Sequence, residues 1–361
     1  MQENELYHPR IVAVRKSLLH HKLDAFVSSF LPTMRYLSGY SGSNGLLVVT
    51  NRSTFFFTDF RYEEIIQTEV VADSKCIGSG SLLKIAAEKK IFAGLKAVGF
   101  EKDRITVSDY DILKRFVDAK TLTATSGIVE ALRSVKDETE IEMLKKAFAI
   151  SDKAFEKILG MIKPGIRELE LSAEISYLHK KYGAENDSFD VIVASGVRGS
   201  LPHGTASDKK IQQREFITLD FGCVTGGYHS DMTRTICVGS PTTEMKKVYQ
   251  VVFDAQQRAS EAVENGAVAK KIDSVARKHI ASKGYGKYFG HSLGHGVGLE
   301  IHELPRVAPK SNDKLVTGNV ITIEPGIYLP KKFGIRIEDT LVVREKGYEV
   351  LSGSPKELIT I

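Results

Sequence analysis

Apolar positions change their period repeatedly between His8 and Leu122. Ile11, Val14 and Leu18 recur at helical spacing, whereas residues 25–27, 46–49 and 55–57 are short runs of β type. Helix and strand patterns alternate, which predicts an α/β domain. The segment Ser41-Gly42-Ser43-Asn44-Gly45 is rich in turn formers, and Thr58-Asp59-Phe60-Arg61-Tyr62 opens the next helix. Taken alone, turn chemistry and helix capping account for both. A charged stretch around residues 133–142 marks the boundary, giving an N-terminal domain over 1–130 and a second domain over 131–361.

Beyond that boundary the periods lengthen. A helix is expected over 138–161, with Ile141, Leu144, Phe148, Phe155 and Leu159 on one face and a stop at Pro164-Gly165. A second helix ends at Gly183, and strand-like runs follow at 191–194, 216–221 and 233–238. The order then recurs, with helices at 243–265 and 268–283 and strands near 320–324 and 335–343. Each half is a helix pair followed by strands that carry two acids. The letters themselves do not repeat, but the element order suggests an α+β domain of two similar halves, with any shared site between them.

Length and composition change this picture little. At 361 residues the chain exceeds one usual core, in line with two domains. The net charge of +5 is spread over 50 basic and 45 acidic side chains that interleave, so neither a nucleic acid nor a membrane surface is suggested as partner. Met1-Gln2-Glu3-Asn4-Glu5 lacks the basic stretch and apolar run of a secretory signal, and no segment reads as a membrane span. Cys76, Cys223 and Cys237 are too few and odd in number for a disulfide framework, which fits a reducing, cytoplasmic setting. They form no zinc-ligand cluster either.

The acids carry the chemistry. Asp220 lies in Ile217-Thr218-Leu219-Asp220-Phe221-Gly222 and Asp231 in His229-Ser230-Asp231-Met232-Thr233-Arg234-Thr235, divided by Thr225-Gly226-Gly227. A hairpin folding about Thr225 and Gly226 would pair residues whose numbers sum to 451 and set Asp220 opposite Asp231, with Cβ atoms about 4.5–5.5 Å apart. Two carboxylates closing on a buried face demand a proton or a cation between them. A lone Asp in a hairpin usually serves a turn or a cap, but the pattern recurs. Glu324, in Ile321-Thr322-Ile323-Glu324-Pro325-Gly326, and Glu338, in Ile335-Arg336-Ile337-Glu338-Asp339, are again acids in apolar strands, and Glu is seldom buried unless paired or ligated.

Four carboxylates balance two divalent ions, and an oxygen-rich set with one imidazole suits manganese, cobalt, zinc or iron. Candidate imidazoles lie in Gly290-His291-Ser292-Leu293-Gly294-His295-Gly296-Val297-Gly298. Gly294, Gly296 and Gly298 disfavour a helix there, so His291 and His295 are not a zinc-protease helix, and the Glu such a motif needs is absent. A single His is most often an ordinary hydrogen-bonding residue. His203, His229, His291, His295 and His302 together favour a site.

These residues resemble the pita-bread metallopeptidases, the family of aminopeptidase P, prolidase and methionine aminopeptidase. The resemblance covers nearly the whole chain. It rests on Leu201-Pro202-His203-Gly204, Leu219-Asp220-Phe221-Gly222, Ser230-Asp231-Met232-Thr233-Arg234-Thr235, Gly290-His291 through Gly298, Ile301-His302-Glu303, Glu324-Pro325-Gly326 and Arg336-Ile337-Glu338-Asp339. It implies a creatinase-like α/β N-terminal domain and an α+β pita-bread catalytic domain with pseudo-twofold halves. It also implies five metal ligands, Asp220, Asp231, His295, Glu324 and Glu338, holding two divalent ions, manganese first among them. Relatives that have lost metal and peptidase activity, such as creatinase and certain chromatin factors, lack those carboxylates, so this chain looks catalytically intact.

Methionine aminopeptidases generally lack the N-terminal domain. Residues 36–45 and 57–62 are more similar to the aminopeptidase P branch than to prolidase. The implied function is therefore removal of the N-terminal residue from peptides with proline second, by a hydroxide bridging the two ions. The alternative is a prolidase restricted to Xaa-Pro dipeptides, and more remotely a non-catalytic binding protein of this fold. By resemblance Glu324 doubles as general base, His302 stabilises the tetrahedral intermediate, and His203 and His291 shape the leaving-group side, His203 also as a proton-transfer candidate. Arg336 is a candidate to orient Glu338 or Tyr328, or to meet a substrate carboxylate, against the plain alternative of an outward surface arginine. Family habit implies a homodimer in which the N-terminal domains help wall the active sites.

Overall fold

Val14 and Leu18 lie fully buried on one face of the helix Glu3–His20, and the apolar run after it becomes the middle of a sheet. The computed structural model describes residues 3–117 and 119–361. They fall into a unit ending at Arg133 and a unit Ser134–Ile361. In the first, the strands are β1 (Ala25–Ser28), β2 (Leu46–Thr50), β3 (Thr54–Asp59), β4 (Ser74–Gly78), β5 (Ala97–Glu101) and β6 (Thr121–Thr125), in the order β4-β3-β2-β1-β5-β6. β1–β2 and β2–β3 are antiparallel, and the other pairs are parallel. All four residues of β1 are buried, as the apolar run Ala25-Phe26-Val27 in a covered strand requires.

Both N-terminal signatures engage in local bonding. The Tyr40 hydroxyl donates to the carbonyl of Asn44 at 2.7 Å, and the Asn44 amide donates to Asp59 at 2.6 Å. Asp59 in turn caps the short 3-10 turn Phe60–Tyr62, which leads into the helix Glu63–Thr68.

The second unit repeats one plan twice. Its first half has the helices Glu138–Leu159, opened by an Asp137/Glu140 capping box, and Glu168–Lys181. They cover a sheet ordered β12-β9-β8, made of β8 (Ile192–Ser195), β9 (Glu215–Phe221) and β12 (Met232–Val238), through Phe155, Ile158, Leu171 and Ile175. Short strands β7 (Asn186–Asp187), β10 (Cys223–Thr225) and β11 (Tyr228–His229) form a second small sheet. The second half has the helices Thr243–Glu261 and Ala269–Ser282, and strands β13 (Gly294–Gly296), β14 (Glu303–Val307), β15 (Val320–Ile323), β16 (Gly326–Leu329), β17 (Phe333–Arg336), β18 (Asp339–Val343) and β19 (Tyr348–Val350). Val248, Val252, Ile272 and Ala276 from its helices pack with Ile321, Ile323 and Leu341. No helix among the described residues is long and apolar enough to cross a membrane.

Three local readings change. The first helix stops at Leu159, and Ile158 rather than Leu159 points fully inward. The expected strand 335–343 is two strands, interrupted at Ile337-Glu338. The Asp220 hairpin turns at Gly226-Gly227, both at positive φ, with Thr225 paired to Tyr228. Two left-handed residues are what a two-residue type I′ turn needs, and glycine supplies them without strain where a threonine does not. Paired numbers therefore sum to 453, and Asp220 faces Thr233, not Asp231. A two-residue slip preserves the face, so Asp231 remains a diagonal neighbour on the same side.

Candidate metal centre and active site

The acids gather where the ladders break. β9 and β12 continue into β10 and β11 across Gly222 and Ser230-Asp231, and a Cβ on Gly222 would lie 1.8 Å from the Ser230 carbonyl oxygen. The other half is built alike. β15/β18 and β16/β17 share one register in which paired numbers sum to 662, and the interruption between them holds Glu324 and Glu338, which that register sets across from each other. A broken ladder frees the chain to turn these side chains inward from both strands of each hairpin.

Asp231, His295 and Glu338 each present a ligand atom within 4.8 Å of the others. His295 Nε2 lies 3.5 Å from Asp231 Oδ2 and 3.5 Å from Glu324 Oε1. The His295 ring donates from Nδ1 to the carbonyl of Gly296 at 3.0 Å, which fixes the tautomer and leaves the Nε2 lone pair facing the acids. Burial, and secondly His302, hold its pKa down at about 4, so the imidazole is neutral, as a ligand must be. Thr322 Oγ1 accepts the His295 backbone N–H at 3.1 Å and donates to Glu324 at 3.3 Å.

Asp220 lies within electrostatic reach of Asp231, Glu324 and Glu338. Its Oδ2 accepts from Arg336 Nη2 at 2.5 Å, while its Oδ1 is buried with no hydrogen-bond donor. Burial, followed by the neighbouring carboxylates, raises the pKa values of Asp231 and Glu324 well above the usual carboxylate range. Burial and then Asp220 push Glu338 up to about 8. Protein groups alone leave the centre short of positive charge, since among the described residues Arg336 is the one arginine or lysine bonded to any of the four carboxylates. An orphaned carboxylate oxygen, three proton-seeking acids and an aimed imidazole lone pair fit divalent cations.

Arg336 is 5 % exposed, so the surface alternative fails. It donates from Nη1 to the Tyr328 hydroxyl at 2.8 Å and to the Pro202 carbonyl at 3.0 Å, and from Nε to Thr233 Oγ1 at 3.1 Å. It thus orients Tyr328 and Asp220 directly. It reaches Glu338 only through Thr233, whose hydroxyl donates to Glu338 Oε2 at 2.6 Å. The Tyr328 hydroxyl lies 3.0 Å from His291 Nε2, and the other nitrogen of that ring is 2.8 Å from the Ser292 carbonyl. Burial lowers the His291 pKa to about 4. His302 is exposed and packs its ring 4.3 Å from that of His295, and His203 is exposed within electrostatic reach of both His291 and His302.

A model of metallopeptidase family M24 matches residues 142–345, and a model of the Creatinase/Prolidase N-terminal domain matches residues 10–135. The chain belongs to metallopeptidase family M24. Its fold is the one expected, a creatinase-type N-terminal domain followed by the family's pita-bread catalytic domain. An Xaa-Pro dipeptidase of Pyrococcus horikoshii is 39% identical over 341 residues, 94% of this chain and 95% of the relative. The solved structure of an Xaa-Pro dipeptidase from Bacillus anthracis superposes with a TM-score of 0.95 at 41% identity, covering 98% of this chain and 100% of that one. An X-Pro aminopeptidase from Thermotoga maritima gives 0.88 at 38% identity, over 94% and 98%. M24 membership implies divalent metal ions, in keeping with the donor set described.

The contacts above link Asp220, Asp231, His291, His295, His302, Glu324, Tyr328, Arg336 and Glu338, although Asp220 and Asp231 do not meet as a facing pair, while His229, in β11, pairs with Val224 and donates its backbone N–H to the Gly298 carbonyl. Thr233 and Thr322 were missed as supporting residues. For Thr233 a signal existed, because correct turn placement puts it directly across from Asp220. For Thr322 the only cue is its position two residues before Glu324.

Proposed function

We propose that this chain is an Xaa-Pro dipeptidase, a prolidase, acting through two divalent ions held by Asp220, Asp231, His295, Glu324 and Glu338. The carrying observation is the buried convergence of Asp231, His295 and Glu338 beside an orphaned Asp220 oxygen. The dipeptidases among the relatives favour the prolidase reading over the aminopeptidase P reading that the N-terminal signatures suggest. The resemblance to the Thermotoga aminopeptidase keeps the latter as the second reading.

Bound divalent ions supply a water nucleophile of lowered pKa and Lewis acidity at the scissile carbonyl. Glu324, whose buried carboxylate holds a proton readily, accepts the proton of the attacking water and delivers it toward the leaving nitrogen. Partial desolvation of the His302 ring beside His295 lowers its pKa, and the imidazole N–H donates a hydrogen bond to the developing oxyanion. The bond before proline is a tertiary amide whose nitrogen carries no hydrogen, so the site must bring its own proton to that nitrogen. Exposed His203 stands ready for that delivery, and the Arg336–Tyr328–His291 chain holds the adjoining wall. Cleavage of a panel of Xaa-Pro and Xaa-Pro-Xaa peptides tests the assignment. A dipeptidase hydrolyses the first and spares the second; efficient release of the first residue from tripeptides would restore the aminopeptidase reading.

A further inference from the structure

Glu168 belongs to no part of the centre, yet its carboxylate is completely buried and saturated with donors. Its Oε1 accepts from the backbone N–H and the hydroxyl of Ser195, at 2.7 and 2.8 Å. Its Oε2 accepts from Arg198 Nε at 2.9 Å and from the N–H and hydroxyl of Ser207, at 3.1 and 2.7 Å. Glu168 is also the first residue of its helix, where the N-terminal dipole favours a negative charge. Two further N–H groups of that helix start, those of Glu168 and Leu169, donate to the carbonyls of Lys209 and Ser207.

Ser195 and Ser207 are the two ends of the loop that carries Pro202 and His203. One carboxylate therefore clasps both ends. The middle of the loop is held from the opposite half: a Cβ on Gly334 would lie 1.9 Å from the Gly199 carbonyl oxygen, and Arg336 binds the Pro202 carbonyl. Among the described residues the imidazole of His203 makes no hydrogen bond, and it is exposed, so its place is set by the loop that carries it.

We propose that Glu168 is a positioning residue for His203, setting the imidazole at the mouth of the centre by closing the 195–207 loop. This rests on the proposed function insofar as His203 acts in the reaction. A glutamine cannot replace the clasp. Whichever way its amide is turned, its NH2 group opposes at least one fixed N–H donor, Ser195 N–H on one side or Arg198 Nε–H and Ser207 N–H on the other.

The test is hydrogen exchange and steady-state kinetics on the metal-loaded enzyme carrying Glu168→Gln, His203→Ala or both, with an Xaa-Pro dipeptide as substrate. Expected are faster exchange of the 196–206 amides and a fall in kcat of about 10²-fold, the size of effect that follows small misplacement of a reacting group. KM should change by less than about threefold if substrate is still bound by the intact remainder of the site. The double variant should be no slower than His203→Ala, because two changes acting through one group are not additive. Unchanged loop exchange, or losses that multiply in the double variant, would overturn the proposal. Should Glu168→Gln not fold, Ser207→Ala, which keeps the carboxylate and removes one donor, must give the same pattern in milder form. Failure of wild-type enzyme to cleave any Xaa-Pro peptide would instead refute the proposed function, while loop exchange still judges the clasp.

Discussion

Thr233→Val is the sharpest probe of how the centre is held. Valine keeps the volume and the buried strand position, and removes only the hydroxyl that donates to Glu338 at 2.6 Å and accepts from Arg336 Nε at 3.1 Å. Hydrogen bonds to charged groups contribute about 1.5–3 kcal/mol, which corresponds to roughly the 10–100-fold that loss of an outer-shell partner costs in metal affinity or activity. The sign with pH is also fixed. The Thr233 hydroxyl lowers the pKa of Glu338 against the burial that raises it to about 8, so valine pushes that pKa further up and a metal ion must displace a more tightly held proton. The affinity deficit, read by chelator competition, should accordingly be larger near pH 6.5 than near pH 9. Thr233→Ser retains the hydroxyl and should stay within about threefold of wild type. Wild-type affinity in the valine variant, or a deficit that does not shrink as pH rises, would refute the assignment of Thr233 as the support of Glu338.

Two further outcomes follow from burial. Stripping the metal with chelator should abolish peptide hydrolysis, and manganese, cobalt or zinc should restore it; reloading at neutral pH should release protons, since Asp231, Glu324 and Glu338 favour their protonated forms without a cation. Calorimetry in buffers of different ionisation enthalpy reads that release, and its absence would contradict the charge accounting. In the N-terminal unit, Glu101 is buried, accepts from Thr33 at 2.6 Å and from Ser28, and is pushed by burial from 4.5 up to about 7. A carboxyl with a raised pKa contributes stability that is fully present below pH 4.5 and lost as pH rises through 7, about 3 kcal/mol by linkage. Glu101→Gln should thus gain stability over wild type above neutrality and show no such gain in acid, measured by urea unfolding at the two pH values; a difference independent of pH would rule this out.

Much of this was legible in the chain because period and burial are local properties. The alternation in the first 130 residues, the long amphipathic helices and the recurring helix-pair-then-strands order each reflect side chains spaced at 3.6 or 2.0 residues along their own segment. Acids set into apolar strands announced a cation for the same reason, since only a partner of opposite charge makes their burial tolerable. Even the misplaced turn was decidable from the letters, as Gly226-Gly227 outranks Thr225-Gly226 wherever two left-handed residues are needed. The slip did little harm, for shifting a register by two residues keeps every side chain on its face.

What the chain could not decide is which faces meet. Arg336 reaches Asp220 across 116 positions and Thr233 reaches Glu338 across 105, contacts fixed by how one half packs on the other. His295 sits among glycines that leave its backbone unconstrained by sequence, and its lone pair is aimed by the Gly296 carbonyl and by Thr322 in the neighbouring strand. The Glu168 clasp is likewise invisible from sequence, where a Glu in the first turn of a helix looks like ordinary compensation of the dipole. The amino-acid order thus determined the elements, their buried faces and the kind of charge the centre would need. Tertiary packing decided the partners, because hydrogen bonds between distant strands depend on distances that no local period encodes.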